Sequence, residues 1–133
     1  MVRTEHQLYG QIATYLQVHY PKVIWRFDLA ADMKLTVGQA TKHKHLNPHR
    51  GYPDLFIAEP KQGSNGLYIE IKVDGTRLKK KDGTWASTHL EEQNEVLNKL
   101  QKKGYAAYFA VGFDEAKDII DDYLGGTNGE AEF

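Results

Sequence analysis

Residues 51–73 read GYPDLFIAEPKQGSNGLYIEIKV, two short apolar runs separated by a glycine-rich segment. This pattern predicts neighbouring strands at 54–58 and 67–73, joined by a turn near 62–66. Side chains alternate between the two faces of a strand, and the alternation in the second run is strict. One face carries only apolar residues, and the other carries Tyr68, Glu70 and Lys72.

The two runs bring two acids and one lysine together. If Glu59 pairs with Leu67, Asp54 falls opposite Lys72 and diagonal to Glu70, on the same face. Directly opposite side chains are roughly 5 Å apart, and diagonal ones are roughly 7–8 Å apart. Carboxylates at that separation repel each other unless a cation lies between them, and oxygen ligands suit a hard divalent metal.

A purely structural explanation of these charges is also open. On a solvated strand, Lys72 would neutralise Asp54 and Glu70 in a cross-strand salt bridge. A strand flanked by helices is usually covered on both faces, however. There the cost of desolvating three charges roughly cancels their attraction, which favours a functional role.

Length and composition predict a single soluble domain. The chain has 133 residues, enough for one core but not for two. We find no apolar run of about 18 residues, which a membrane-spanning helix would need, and no apolar stretch of a secretory signal at the N-terminus. The chain lacks cysteine, which excludes disulfides and thiolate zinc sites. We therefore expect no membrane association and a cytoplasmic location.

Charge is distributed unevenly along the chain. The formal net charge is −1, but residues 114–133 contain seven acids and one base, which leaves +5 for residues 1–113. Local positive fields matter more than net charge for nucleic-acid binding. The composition therefore permits a phosphate ligand without requiring one.

The remaining elements complete an α/β pattern. Thr4 and Gln7 have capping-box spacing and predict a helix that ends before Pro21. Thr88 and Glu91 repeat that spacing, and Asp114 is the expected cap of a last helix. Further predictions are a strand at 23–28, a short helix at 36–46, a hairpin at 82–83 and a strand at 105–111. The order predicts a mixed central β-sheet flanked by helices.

The segment Arg50-Gly51-Tyr52-Pro53-Asp54-Leu55 is followed, sixteen residues after Asp54, by Glu70-Ile71-Lys72. This combination resembles the PD-(D/E)XK nuclease superfamily, and residues 50–55 resemble its virus-type replication-repair branch, VRR-NUC, in stand-alone form. The resemblance extends from the first helix to about Val111. It implies a restriction-endonuclease-like domain over residues 1–124, and we expect residues 125–133 to form a flexible tail.

The resemblance also implies a site. Asp54 and Glu70 would bind Mg²⁺ or Mn²⁺, with the backbone carbonyl of Ile71 as a further ligand. Lys72 would lie beside the attacking water and the scissile phosphate. Its ammonium group would steer the attack or stabilise the added negative charge.

Two further polar residues have competing explanations. Glu5 shares the inward face of the first helix with Leu8, and an acid in a first helical turn is also favoured by the helix macrodipole alone. VRR-NUC relatives use a glutamate of this helix near the metal, which implies an outer or second-metal ligand. Gln93 interrupts an apolar stripe at 90–100. It is either a partly exposed flank or, by the resemblance, a polar member of the site.

Two basic stretches border the predicted site. Residues 42–50 contain three of the six histidines, in a spacing that fits no compact zinc pattern. Residues 77–81 precede Trp85, which would stack on a base or pack beneath its loop. Each stretch is either solvated surface or a contact for nucleic acid. The candidate DNA-binding residues are Lys42, Lys44, His49, Arg50, Arg77, Lys79, Lys80 and Lys81.

Together these observations predict a Mg²⁺- or Mn²⁺-dependent deoxyribonuclease with Asp54, Glu70, Lys72, Gln93 and Glu5 as catalytic residues. Small VRR-NUC proteins resemble junction-resolving enzymes, which implies branched DNA as substrate, a homodimer, and a bacterial or phage-encoded repair role. The alternatives are an inactive nucleic-acid-binding module, a nicking or restriction-like nuclease, and an α/β domain unrelated to phosphate esters.

Overall fold

A computed structural model of the protein describes residues 4–28 and 34–125. In this part of the chain, four helices and four strands follow one another. They are α1 (Glu5–His19), β1 (Trp25–Phe27), α2 (Val37–Leu46), β2 (Leu55–Ile57), β3 (Leu67–Lys72), α3 (Thr88–Lys102), β4 (Ala106–Val111) and α4 (Gly112–Leu124). Apart from Gly125, the predicted tail lies outside the described residues.

The first two helices begin with the local signals that their sequences carry. In α1 the Thr4 hydroxyl accepts a hydrogen bond from the amide of Gln7, whose side chain accepts one from the amide of Thr4. Thr36 and Gln39 form the same capping box in α2. The predicted helix α2 is present. Its apolar periodicity is poor because it buries none of its residues.

Two predicted helix caps are wrong. The cap of α3 is Ser87, whose hydroxyl accepts from the amide of Leu90, and Thr88 is already helical. Asp114 lies inside α4, which begins at Gly112. The N-cap is Val111, whose side chain makes no capping hydrogen bond, and its backbone amide donates a 2.9 Å hydrogen bond to Glu115.

The sheet is mixed, as predicted, with strand order β1-β2-β3-β4. The first two pairings are antiparallel and β3 pairs with β4 in parallel. The predicted register between β2 and β3 is wrong by two residues, since Leu67 pairs with Ile57 and not with Glu59. A turn with positive φ at Gln62 and Gly63 sets this register. A shift of two keeps every side chain on its face, so the acids stay together.

Helices cover both faces of the sheet. Residues of α1 and α4 pack with Leu67, Ile69 and Ile71 of β3 in the larger core. Leu97 of α3 packs on Tyr68 in a smaller cluster on the other face. The polar face of β3 is therefore directed toward α3. None of the helices in the described ranges has the length and apolar character needed to cross a membrane.

Candidate active site

Asp54 and Glu70 face each other at one end of the sheet, on the face that α3 covers. Continuing the β2–β3 register by one residue pairs Asp54 with Glu70, and the two residues are only 6% and 3% exposed. Oδ2 of Asp54 accepts a 2.8 Å hydrogen bond from the backbone amide of Ile71. The Pro-Asp segment is thereby tied to the Glu-x-Lys segment.

The turn before Asp54 brings the strand end against α3. Gly51 has φ +76, and a Cβ there would lie 3.4 Å from the backbone of Gln93, so the chain passes close to the helix. Pro53, which is fully buried, fixes its own φ and restricts Tyr52 to extended backbone. These constraints aim Asp54 into the space between the sheet and α3.

A cleft of about 470 Å³ opens over the two acids. The last turn of α2, the residues that follow it, and the first turns of α3 form its walls. Its lining residues are Asp28, His43, Leu46, Asn47, Pro48, His49, Gly51, Tyr52, Asp54, Glu70, His89 and Gln93. This volume lies within the range of about 300–1,000 Å³ that is typical of ligand pockets.

The surroundings of Glu70 disfavour a lone negative charge. Burial raises the pKa of its carboxyl well above the ordinary range, the hydrogen bond and charge of Asp54 raise it further, and Lys72 opposes the shift. Lys72 Nζ lies 3.7 Å from Oε2, and within the described residues Oε1 has no hydrogen-bond partner. A buried polar atom without a partner costs free energy, and a cation bound beside Oε1 would offset that cost.

Glu5 reaches the acids through Tyr9. The buried Tyr9 phenol donates a 2.6 Å hydrogen bond to Oε1 of Glu5. The pKa of Tyr9 is raised, chiefly by burial. The charge of Asp54 and hydrogen bonds to Glu5 and Asp54 raise it further. The start of α1 therefore lies against the acid pair, and Glu5 also acts electrostatically on Glu70.

Gln93 is buried, so a partly exposed flank does not describe it. It is 6% exposed and lines the cleft. In the described part of the chain its Oε1 atom lacks a hydrogen-bond partner. An amide oxygen in this position is available to accept a hydrogen bond from a ligand or water in the cleft.

These side chains fit a hard divalent cation. Magnesium in proteins is held by one or two carboxylates and keeps several waters, which two facing acids beside an open cleft accommodate. Across residues 4–28 and 34–125, no three His, Asp or Glu side chains form a metal-binding group. The side-chain ligands would therefore come from Asp54 and Glu70.

The predicted DNA-binding residues divide into two groups. His49 lines the cleft, and its exposed neighbours Lys42, Lys44 and Arg50 lie on the adjoining helix and loop. Arg77, Lys79, Lys80 and Lys81 lie on the segment between β3 and α3 and do not line the cleft among the described residues.

That segment forms the hairpin predicted at Asp82-Gly83, with a bridge between Lys79 and Trp85. Trp85 packs against Phe109, with ring centroids 5.6 Å apart. The ammonium of Lys79 lies 4.8 Å from the centroid of the Trp85 ring. Of the two roles considered for Trp85, the structure therefore shows packing beneath the loop.

Sequence reasoning missed Tyr9 and Asp28, which border the site, and considered His43 and Asn47 only as members of the basic stretch 42–50. Asn47 and His43 contact each other through Nδ2 and Nδ1, 3.2 Å apart, across one turn of α2. Asp28, His43 and Asn47 line the cleft. The only available signal was the position of 43–47 directly before the Pro-Asp turn.

The fold of this chain is similar to that of a solved structure. A structure described as a VRR_NUC domain protein matches the chain with a TM-score of 0.67 and 25% sequence identity. The match covers 92% of this chain and 89% of the other. No family model and no curated protein matches the sequence. The resemblance carried by residues 50–72 thus extends in three dimensions over nearly the whole chain.

Proposed function

The chain carries a VRR-NUC domain, and on that premise we propose that it hydrolyses phosphodiester bonds in DNA with bound Mg²⁺ or Mn²⁺. The observation that carries the proposal is the facing pair of buried acids, Asp54 and Glu70, at the floor of an open cleft. Two buried like charges cost stability unless a ligand compensates them. The pair therefore has a reason to exist in binding and not in folding.

Each side chain has a role that follows from its chemistry. Asp54, Glu70 and the carbonyl of Ile71 would hold the cation, which when bound supplies positive charge that polarises the phosphate and lowers the pKa of water. Lys72 places an ammonium group beside Glu70, where it stabilises negative charge that develops on the phosphate. The Gln93 amide orients the attacking water by a hydrogen bond.

Glu5 completes the site from α1. It accepts a hydrogen bond from the Tyr9 phenol, which lies against Asp54, so Glu5 would act through Tyr9 as an outer ligand or would hold a second metal ion. Groups that orient a metal ligand in this way strongly influence metal affinity.

For the substrate we propose DNA, with branched DNA first, and a homodimer as the acting form. Cleavage of both strands at a symmetric junction requires two sites related by symmetry, whereas one chain supplies one cleft. Backbone phosphates would be contacted at the cleft by Lys42, Lys44, His49 and Arg50, and farther away by the basic residues 77–81 of the hairpin.

A cleavage panel tests the function. Four-way junction, flap, nicked, single-stranded and duplex DNA are each incubated with Mg²⁺, with Mn²⁺, and with a chelator. We expect metal-dependent cleavage that Glu70→Gln and Lys72→Ala each reduce at least about 100-fold. Glu91→Gln, an exposed acid in the first turn of α3, is the matched control. Light scattering of the same protein gives the oligomeric state.

The outcomes separate the alternatives. Cleavage that survives both Glu70→Gln and Lys72→Ala would refute this site. DNA binding with a steep salt dependence but no cleavage with either metal would indicate the inactive binding module.

A further inference from the structure

A second pocket, of about 620 Å³, opens between α1 and β1 and adjoins the cleft. Asp28, His43 and Asn47 line both cavities, so the two cavities open next to each other. We call this cavity the α1–β1 pocket. None of the roles proposed above uses it.

Aromatic rings form much of its wall. Tyr9 and Phe27 are stacked, with centroids 4.8 Å apart and an interplanar angle of 29°. Trp25 meets the Phe27 ring edge-on at 5.9 Å, and both Trp25 and Phe27 remain partly exposed. Arg26 also lines the pocket. Aromatic surface beside basic side chains is what proteins use to bind the bases of single-stranded nucleic acid.

Gly10 provides an independent indication that this space is used. It lies within α1 and lines the pocket, where glycine costs up to about 1 kcal/mol of helix stability relative to alanine. A Cβ at this position would meet no heavy atom within 4 Å. No close contact therefore requires glycine, and the absent side chain leaves the pocket open.

We propose that the α1–β1 pocket receives an unpaired nucleotide of the DNA strand whose phosphate lies in the cleft. The proposal rests on the proposed function, because the cleft places the strand next to the pocket. A base held in a duplex must first be unpaired and unstacked before it enters such a pocket. The pocket therefore favours DNA with unpaired bases, such as branch points, flaps and single-stranded ends.

Blocking the pocket tests the proposal. Gly10→Leu directs a side chain into it and adds helix propensity. Gly38→Leu in α2 is the matched control, since its Cβ also meets no atom within 4 Å and it does not line the pocket among the described residues. With a chelator present, we expect Gly10→Leu to weaken binding of a labelled oligothymidine about tenfold. We expect Gly10→Leu to bind blunt duplex DNA as tightly as wild type does. Gly38→Leu should bind both oligothymidine and blunt duplex DNA as tightly as wild type.

Tryptophan fluorescence tests the pocket without a substitution in it. The chain has two tryptophans, so Trp85→Phe leaves Trp25 as the single reporter. We expect oligothymidine to quench the fluorescence of Trp25 saturably. Equal oligothymidine affinity in Gly10→Leu and wild type, or no quenching of Trp25, would overturn the proposal.

The two proposals fail separately. Cleavage that depends on Glu70, with single-strand binding that Gly10→Leu does not affect, overturns the pocket and leaves the nuclease. Quenching of Trp25 together with no cleavage of any DNA by the wild type overturns the nuclease and leaves the pocket.

Discussion

Asp54 accepts a 2.8 Å hydrogen bond from the backbone amide of Ile71, the residue between Glu70 and Lys72 in the chain. One contact therefore fixes the two halves of the motif relative to each other. It also satisfies a buried backbone amide, which would otherwise cost free energy. The charge and the hydrogen-bonding capacity of Asp54 thus serve different purposes.

Substitutions at position 54 separate those purposes. Asp54→Asn keeps an oxygen that accepts from Ile71, so we expect its free energy of unfolding without divalent cations to be close to that of wild type. Asp54→Ala leaves the amide unpaired and is expected to lose about 1–3 kcal/mol. Both should abolish cleavage. Urea denaturation measures the difference, and an equal stability loss in the two variants would contradict the structural role of this bond.

Glu70 is expected to lower the stability of the metal-free protein. Its folded pKa is raised, chiefly by burial and then by Asp54, so its contribution to stability declines as pH rises above the unfolded value of about 4.3. Without divalent cations, Glu70→Gln should become progressively more stable than wild type between pH 5 and pH 8. Melting temperatures across that range, with Glu91→Gln as control, measure this difference.

Divalent cations should reverse the order. Wild type gains stability by mass action, about 2.7 kcal/mol at 100 times the dissociation constant, and Glu70→Gln should gain almost none. A wild type whose melting temperature is unaffected by Mg²⁺ and Mn²⁺ would contradict the metal site.

Local sequence was sufficient for the faces of the strands and for the acid pair. Alternation in 67–73 distinguishes the apolar face from Glu70 and Lys72, and this assignment does not depend on the register. The predicted register was wrong by two residues because the turn centres on Gln62 and Gly63. A period of two makes the site tolerant of that error.

The other walls of the cleft could not be read from the sequence. Tyr9 follows Leu8 in a helix whose inward residues look like ordinary core, and its contact with Glu5 and influence on Asp54 depend on how α1 packs at the end of the sheet. His43 lies on α2 and Asn47 is its C-cap residue. The helix buries none of its residues and so has no periodic signal. Such contacts are set by tertiary packing between elements distant in sequence.

Tyr9 is expected to position the acids. Tyr9→Phe keeps the ring and removes the hydroxyl that donates a 2.6 Å hydrogen bond to Glu5. Outer groups of this kind contribute about 10–100-fold to metal affinity, and we expect a loss in that range by calorimetric titration of Mn²⁺. Tyr123→Phe is the matched control, because its hydroxyl donates to the backbone oxygen of Glu59. Equal Mn²⁺ affinities in Tyr9→Phe and wild type would exclude the positioning role.

The hairpin at 77–86 should contribute charge to DNA binding and not chemistry. Lys80 and Lys81 are exposed and do not line the cleft as far as the chain is described. Reversing both to glutamate should weaken binding and reduce the slope of log affinity against log salt by about 2, or about 1 for each lost phosphate contact. Lys102→Glu with Lys103→Glu, an exposed pair at the far end of α3, is the control. If both pairs change the slope equally, binding follows overall charge and the hairpin makes no specific contact.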